Sequence, residues 1–143
     1  DYLVQRKRWN MSKKKLIKTL VSKTNGERVR FKDYDVKFTH ENEEYFVKIL
    51  SVNDSTLVTV NSPIIWELKK GKVDGLRFRA SSKTLIDLSL FSSHKNKIIL
   101  LTMKPYKILK ALNESDLKDI SNESFVHGIH YLYEIDTIFS TIS

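Results

Sequence analysis

Two arginines, Arg77 and Arg79, stand two residues apart in a segment that alternates polar and apolar side chains. In a β-strand this spacing places both guanidinium groups on one face, roughly 6.8 Å apart. That separation approaches the distance between successive phosphates of a nucleic acid, and a guanidinium group binds phosphate through two parallel hydrogen bonds. Further bases flank the pair at Lys70, Lys72 and Lys83. The segment predicts a phosphate-binding strand, although a sheet edge protected by basic side chains has the same pattern.

A second cluster of bases lies near the start of the chain, in a segment with helical spacing. Ser12 is a suitable N-cap for a helix to about Lys23, and Gly26 is expected to end it in the left-handed conformation. The apolar residues fall on one side of this helix, and the other side carries Lys13, Lys14, Lys15 and Lys18. We expect these lysines to contact a phosphate backbone together with the basic strand.

The net charge of +8 comes from these two regions. Residues 1–23 contain eight bases and one acid, and residues 69–83 contain six bases and one acid. The remaining segments, 24–68 and 84–143, each contain more acids than bases. Such clustering is typical of a surface that binds a polyanion, because neutralising phosphates releases condensed counterions. It is equally compatible with a surface that binds an acidic protein partner.

Two carboxylates and a lysine offer a different chemistry. Glu67 and Lys69 lie on one face of a predicted strand, and Asp54 precedes Glu67 by 13 residues at the start of the neighbouring strand. Asp followed by Glu-x-Lys resembles the motif of the PD-(D/E)XK nucleases, although Asn53 stands where that family has proline. The resemblance covers three residues, and it implies that Asp54 and Glu67 hold Mg²⁺ while Lys69 positions or activates water. A chain with eight glutamates and 19 lysines is also expected to contain about one Glu-x-Lys by chance.

The composition excludes several other kinds of site. The chain has no cysteine, which rules out disulfides and thiolate chemistry. Its four glycines form no glycine-rich phosphate-binding motif. His127 and His130 have the spacing of metal ligands on a helix, but Gly128 between them disfavours a helix. Apart from Mg²⁺ in the nuclease hypothesis, we expect no metal and no cofactor.

Strands must position the basic pair and the Glu-x-Lys segment. Alternation of apolar and polar residues predicts about five strands between residues 28 and 80, in a mostly antiparallel meander. Gly71 is expected to end one of these strands. In the next strand, Leu76, Phe78 and Ala80 are expected to point into the core and the two arginines toward solvent.

The second half of the chain is predicted to add a strand–helix unit. Residues 81–88 are compatible with a short helix, residues 97–103 predict a strand, and Pro105 is suited to begin a helix that ends near Asn113. Residues 125–142 fit a strand followed by a helix about as well as a single strand. The element order predicts an α+β fold, with an N-terminal helix packed on a mostly antiparallel β-meander and followed by the strand–helix unit.

We expect residues 11–143 to form one globular domain, preceded by a basic leader at residues 1–10 that is either non-native or flexible. No apolar run is long enough to span a bilayer and no apolar signal segment begins the chain, so a cytoplasmic location is expected.

Three function hypotheses follow, and a non-enzymatic role is favoured over an enzymatic one. The first is a nucleic-acid-binding domain that contacts the phosphate backbone. Its expected contact residues are Lys13, Lys14, Lys15, Lys18, Lys70, Lys72, Arg77, Arg79 and Lys83. The second is a protein-interaction or structural subunit with an acidic partner. The third is a Mg²⁺-dependent nuclease that uses Asp54, Glu67 and Lys69.

Overall fold

The computed structural model describes residues 12–143, so the predicted leader at residues 1–10 lies outside the described part of the chain. The helices are α1 (Lys13–Thr24) and α2 (Ile138–Ile142). The strands are β1 (Glu27–Arg28), β2 (Val36–His40), β3 (Glu43–Leu50), β4 (Thr56–Ser62), β5 (Ile65–Asp74), β6 (Arg77–Asp87), β7 (Lys97–Leu101), β8 (Lys107–Ala111), β9 (Leu117–Asp119), β10 (Phe125–Val126) and β11 (Ile129–Leu132). This combination confirms the predicted α+β class.

α1 begins and ends with local side-chain and backbone caps. The Ser12 hydroxyl accepts a hydrogen bond from the backbone N–H of Lys15 at 3.3 Å, as expected for an N-cap. The left-handed residue at the C-terminal end is Asn25, with a φ of +55°, so the prediction of Gly26 as the left-handed cap is wrong. Gly26 is needed for another reason, because a Cβ atom there would lie 2.7 Å from the carbonyl oxygen of Lys37 in β2.

The strands form two mixed sheets. Sheet A has the order β1-β2-β3-β7-β11-β10, with β3–β7 and β7–β11 parallel. Sheet B has the order β6-β5-β4-β8-β9, with only β4–β8 parallel. The predicted meander is therefore divided between the sheets after β3. The chain later returns to each sheet, and these returns create the parallel pairs.

Two hydrophobic cores hold three layers together. One core lies between sheets A and B and includes the fully buried Trp66. The other lies between sheet A and the two helices and includes Leu20 of α1 and Ile138 of α2. β7 contributes to both, since Ile98 faces the helices and Ile99 faces sheet B. Burial on both faces explains the unbroken apolar run in this strand.

Two predicted helices are strands in the structure, so those two predictions are wrong. Residues 81–87 continue β6, and Lys107–Ala111 form β8. The spacing of Ile108 and Leu112 resembled one helix face, but Ile108 is buried between the sheets whereas Leu112 is 57% exposed. Pairing with β4 satisfies the backbone of β8 instead. Residues 125–142 adopt the strand-then-helix alternative, as β10, β11 and α2.

Candidate nucleic-acid interface

β5 and β6 extend beyond sheet B as a two-stranded arm. The first residue of β4, Thr56, pairs with Lys70, and beyond this point residues 71–74 pair with residues 77–80 and with no residue of β4. Four further residues at roughly 3.3 Å each carry the arm about 13 Å past the sheet. A two-residue loop closes it, in which Gly75 has a φ of +62°. Glycine adopts this left-handed value without the steric cost that other residues incur. We call residues 70–80 the basic arm.

β5 continues through Gly71 into the arm. The prediction that Gly71 ends this strand is therefore wrong. The register shifts at Gly71, which pairs with Ala80, so that Ser81 is left as a bulge. A Cβ atom on Gly71 would collide with the carbonyl oxygen of Arg79. A residue without a side chain therefore lets the two strands stay paired as they leave the sheet.

One side of the arm is basic. Lys72 pairs with Arg79, and Asp74 pairs with Arg77. Side chains of paired and of alternate residues share a face, so these bases lie on the same side as Lys70. The Arg79 guanidinium lies 3.9 Å from the Asp74 carboxylate, and both side chains are exposed, which makes this ion pair weak.

The other side of the arm carries Val73 and Phe78. Phe78 is half-buried and stacks on Tyr106, with ring centroids 5.6 Å apart. Leu76 is fully exposed in the closing loop. Ala80 is also exposed. The prediction that Leu76, Phe78 and Ala80 point into the core is therefore wrong, because the arm extends past the layer that would cover them.

A cleft of about 450 Å³ opens between the start of α1, the end of β3 and the parts of β5 and β6 at the base of the arm, and we call it the inter-sheet cleft. Three lysines line it: Lys13 of α1, Lys48 of β3 and Lys70 at the base of the arm. Asp87 is the one acid in this lining, and hydrogen bonds from Ser89 hold the pKa of Asp87 below its ordinary value. The cleft is therefore positively charged overall.

A second cleft, of about 490 Å³, lies between α1 and the loop that joins β1 to β2, and we call it the loop cleft. Its basic lining residues are Lys13, Lys14, Arg28, Arg30 and Lys32. Asp35 also lines it, but its carboxylate lies 3.4 Å from Lys13 and accepts a hydrogen bond from the backbone N–H of Ile49 at 2.8 Å. Within residues 12–143, the other four bases form no salt bridge.

Lys13 lines both clefts, and Lys70 belongs to both the inter-sheet cleft and the arm. The bases of the two clefts therefore adjoin at Lys13, and those of the inter-sheet cleft adjoin the bases of the arm at Lys70. We call this set the basic surface: Lys13, Lys14, Arg28, Arg30, Lys32, Lys48, Lys70, Lys72, Arg77 and Arg79.

Six of the nine predicted contact residues belong to this surface. Lys15 and Lys18 are exposed on the side of α1 that faces away from sheet A, and they line neither cleft. Lys83 pairs with Lys69 on the outer face of sheet B, opposite the core face that carries Trp66. The structure thus separates these three lysines from the other six.

Sequence reasoning missed the bases of the β1–β2 loop and Lys48. Segment 24–68 has more acids than bases, and this average concealed Arg28, Arg30 and Lys32. Two nearby acids are engaged within the fold, since Asp33 contacts His94 and Asp35 contacts Lys13. The available signal was the local alternation of bases around an aromatic residue at positions 28–32.

Glu67 and Lys69 lie together, on the outer face of sheet B. The Lys69 ammonium is 3.3 Å from one oxygen of Glu67, and the Asn61 amide donates to the other at 3.0 Å. Asp54 lies in the turn before β4. The backbone oxygen of the next residue, Ser55, accepts from Gly71, four residues along β5 from Glu67. At roughly 3.3 Å per residue, this places Asp54 about 13 Å from Glu67 along the strand. The nuclease activity stays a prediction.

The two histidines with metal-ligand spacing lie in a hairpin. His127 and Gly128 form its two-residue loop, with φ values of +49° and +78°, between the paired residues Val126 and Ile129. His130 follows in β11. Residues 12–143 contain no group of three His, Cys, Asp or Glu side chains that could hold a metal ion.

Comparisons with protein families, curated proteins and solved structures find no match to this chain. In the described part of the chain, no helix is both long and apolar enough to cross a membrane.

Proposed function

We propose that this protein binds nucleic acid through the phosphate backbone, with the basic surface as the contact region. The observation that supports this proposal most directly is that Lys13 lines both clefts. Together with Lys70, it connects bases from a helix, a loop, a core strand and the arm into one surface. Contacts distributed over several elements suit an extended polyanion better than a small anion, because successive phosphates can occupy successive bases.

The acids near this surface do little to reduce its positive charge. Asp35 is paired with Lys13, and Asp74 forms only the exposed contact with Arg79. Asp87 remains as a single negative charge in the inter-sheet cleft. The ammonium and guanidinium groups that remain without a partner can each displace a condensed counterion from a phosphate.

The test is a binding titration with labelled single-stranded DNA, duplex DNA and RNA at about 50 and about 200 mM salt, since the salt dependence counts the phosphate contacts. The test variant replaces Lys72 and Arg77 on the arm with alanine. The matched control replaces Lys83 and Lys107, two exposed lysines on the outer face of sheet B, with alanine. Both double variants remove two positive charges.

We expect the arm variant to bind about tenfold more weakly at about 50 mM salt, and the control to bind nearly as tightly as the wild type. Equal losses of affinity in the two variants would mean that binding depends on the net charge of the protein and not on the position of the basic surface. If the wild type binds none of the three probes at about 50 mM salt, the proposal is overturned.

A protein partner is the second candidate, because the outer face of sheet B is partly apolar. Leu85 of β6 is 58% exposed and Leu117 of β9 is 57% exposed, and the register places both on this face. Within residues 12–143 no other layer covers it. Failure of all three nucleic-acid probes would favour this face, together with the basic surface, as an interface for an acidic protein.

A further inference from the structure

Phe31, in the loop that joins β1 to β2, combines two unfavourable features. Its side chain is fully exposed, and its backbone has a φ of +62°. The left-handed region is costly for a bulky residue, and asparagine or glycine would occupy it with less strain. An aromatic side chain held out in this conformation gains nothing from burial. Its position at the edge of the loop cleft points to a ligand.

The loop is anchored on both sides of Phe31. The backbone N–H of Val29 donates to the carbonyl oxygen of Asp35 at 2.9 Å. The Asp33 carboxylate lies 2.7 Å from the His94 ring, which stacks on Phe46 with ring centroids 4.1 Å apart. These contacts hold the loop on the sheet, so that Phe31 is presented outward by a fixed support.

The surroundings of Phe31 match the requirements of an unpaired nucleotide. Lys14, Arg28, Arg30 and Lys32 line the same cleft. An aromatic ring offers a stacking surface to a base, and neighbouring cations bind the phosphates on either side of it. The bases of a duplex are already stacked on one another, so only an unpaired base presents a free face to Phe31.

We infer that Phe31 stacks on an unpaired nucleobase of a single-stranded nucleic acid. The lysine and arginine side chains of the loop cleft hold the adjacent phosphates. This inference rests on the proposed nucleic-acid function and specifies its ligand. The basic arm then follows the backbone of the same strand. The exposed Leu76 has no part in this arrangement, whereas an arm that inserted an apolar side chain between the base pairs of a duplex would require it.

The experiment compares Phe31→Ala with Leu76→Ala, which removes the other apolar side chain that is fully exposed within residues 12–143. The probes are a labelled single-stranded DNA of about 20 nucleotides, an RNA of the same sequence and the corresponding DNA duplex, a length that exceeds typical single-strand site sizes. Phe31→Trp tests rescue by another aromatic ring. Phe31→Asn removes the ring while suiting the backbone conformation, and it separates lost stacking from misfolding.

We expect Phe31→Ala and Phe31→Asn to weaken single-strand binding roughly five- to 100-fold, with an unchanged salt dependence, because stacking releases no counterions. Phe31→Trp and Leu76→Ala should bind single strands as the wild type does, and duplex binding should not depend on Phe31. Equal losses of affinity for single-stranded DNA and RNA would assign the contact to the nucleobase itself. A loss for one of them alone would identify that nucleic acid as the natural ligand.

The inference is overturned if Phe31→Ala binds single strands as tightly as the wild type, or if it loses as much affinity for the duplex. A selective loss of duplex binding in Leu76→Ala would instead indicate insertion by the arm. These outcomes differ from failure of the proposed function, in which the wild type binds no probe at all.

Discussion

At the scale of single residues, Glu67 is the one charged residue that is buried within residues 12–143. Its side chain is 11% exposed and faces away from the core, in contact with Lys69 and Asn61. Burial acts to raise the pKa of Glu67. Hydrogen bonds from Asn61 and Lys69, together with the charges of Lys69 and Lys83, outweigh burial and hold this pKa below its ordinary value. The group is therefore ionised and engaged at neutral pH.

Glu67→Gln should lower the free energy of unfolding by about 1 kcal/mol at pH 7, because it removes charge-assisted hydrogen bonds. A carboxyl group whose pKa is lowered by folding stabilises the protein above its unfolded pKa, which is near 4.5, and this contribution is lost as the pH falls through the lower folded value. Urea unfolding should therefore show a difference between variant and wild type at pH 7 that shrinks below about pH 4.

The control for this prediction is Glu114→Gln, since Glu114 is exposed and within residues 12–143 makes no hydrogen bond through its side chain and no salt bridge. It should leave stability unchanged at both pH values. A loss of stability in Glu67→Gln that is the same at pH 7 and at about pH 3 would show that the charge of Glu67 contributes nothing to stability.

At the scale of elements, the charges in the first turn of α1 interact unfavourably with the helix dipole. Its first turn contains Lys13, Lys14 and Lys15 and no acid, although the N-terminal end of a helix favours negative charge. The ion pair between Lys13 and Asp35 offsets part of this cost. Three lysines at this position reduce the stability of the helix, while two of them, Lys13 and Lys14, line the loop cleft.

Lys15→Glu should raise the free energy of unfolding by about 0.5–1 kcal/mol, because a glutamate at this third helical position completes a capping box with Ser12. Nucleic-acid affinity should change less than about twofold, since Lys15 lies outside the clefts. Lys14→Glu should give a similar gain from the dipole but bind about tenfold more weakly. Urea unfolding and a binding titration measure both effects. If the two variants lose equal affinity, the assignment of Lys14 to the contact region is wrong.

Local elements could be predicted from the sequence better than their partners could. Ser12 and the apolar spacing defined α1, and the buried run at residues 98–101 defined β7. The division of the strands between two sheets depends on pairing between residues far apart in the sequence. Local sequence patterns do not specify this pairing. β8 was mistaken for a helix because its exposed and buried apolar residues happen to have helical spacing. The arm was missed because glycine at a bulge and glycine at a strand end are indistinguishable in sequence.

Part of the candidate site could also be predicted. The clustered bases of α1 and of residues 70–79 were visible as charge runs, but their separation from Lys15, Lys18 and Lys83 depends on which face each strand or helix turns outward. Phe31 could not be identified, since neither its exposure nor its backbone conformation follows from its residue type.

At the scale of the whole molecule, the distribution of charge between faces predicts how binding responds to salt. Lys13 is held by the partly buried Asp35, whereas the contact of Arg79 with Asp74 is exposed and weak. Nine bases of the basic surface therefore remain to contact phosphates: Lys14, Arg28, Arg30, Lys32, Lys48, Lys70, Lys72, Arg77 and Arg79. Other bases, such as Lys15, Lys18 and Lys83, add to the net charge of +8 but face elsewhere. Long-range attraction to the polyanion depends on all the basic side chains of the protein. Counterion release depends only on the basic side chains that contact phosphates.

If all nine contact a single strand, the logarithm of the binding constant should fall with the logarithm of salt concentration with a slope of about −6, since each contact contributes about −0.7. Replacing any one of the nine with alanine should make the slope shallower by about 0.7, and combined replacements should add. Alanine at Lys15, Lys18 or Lys83 should leave the slope unchanged and shift affinity only slightly. A slope that changes equally for bases on either side of the molecule would mean that the polyanion recognises total charge, and the basic surface would then lose its status as the contact region.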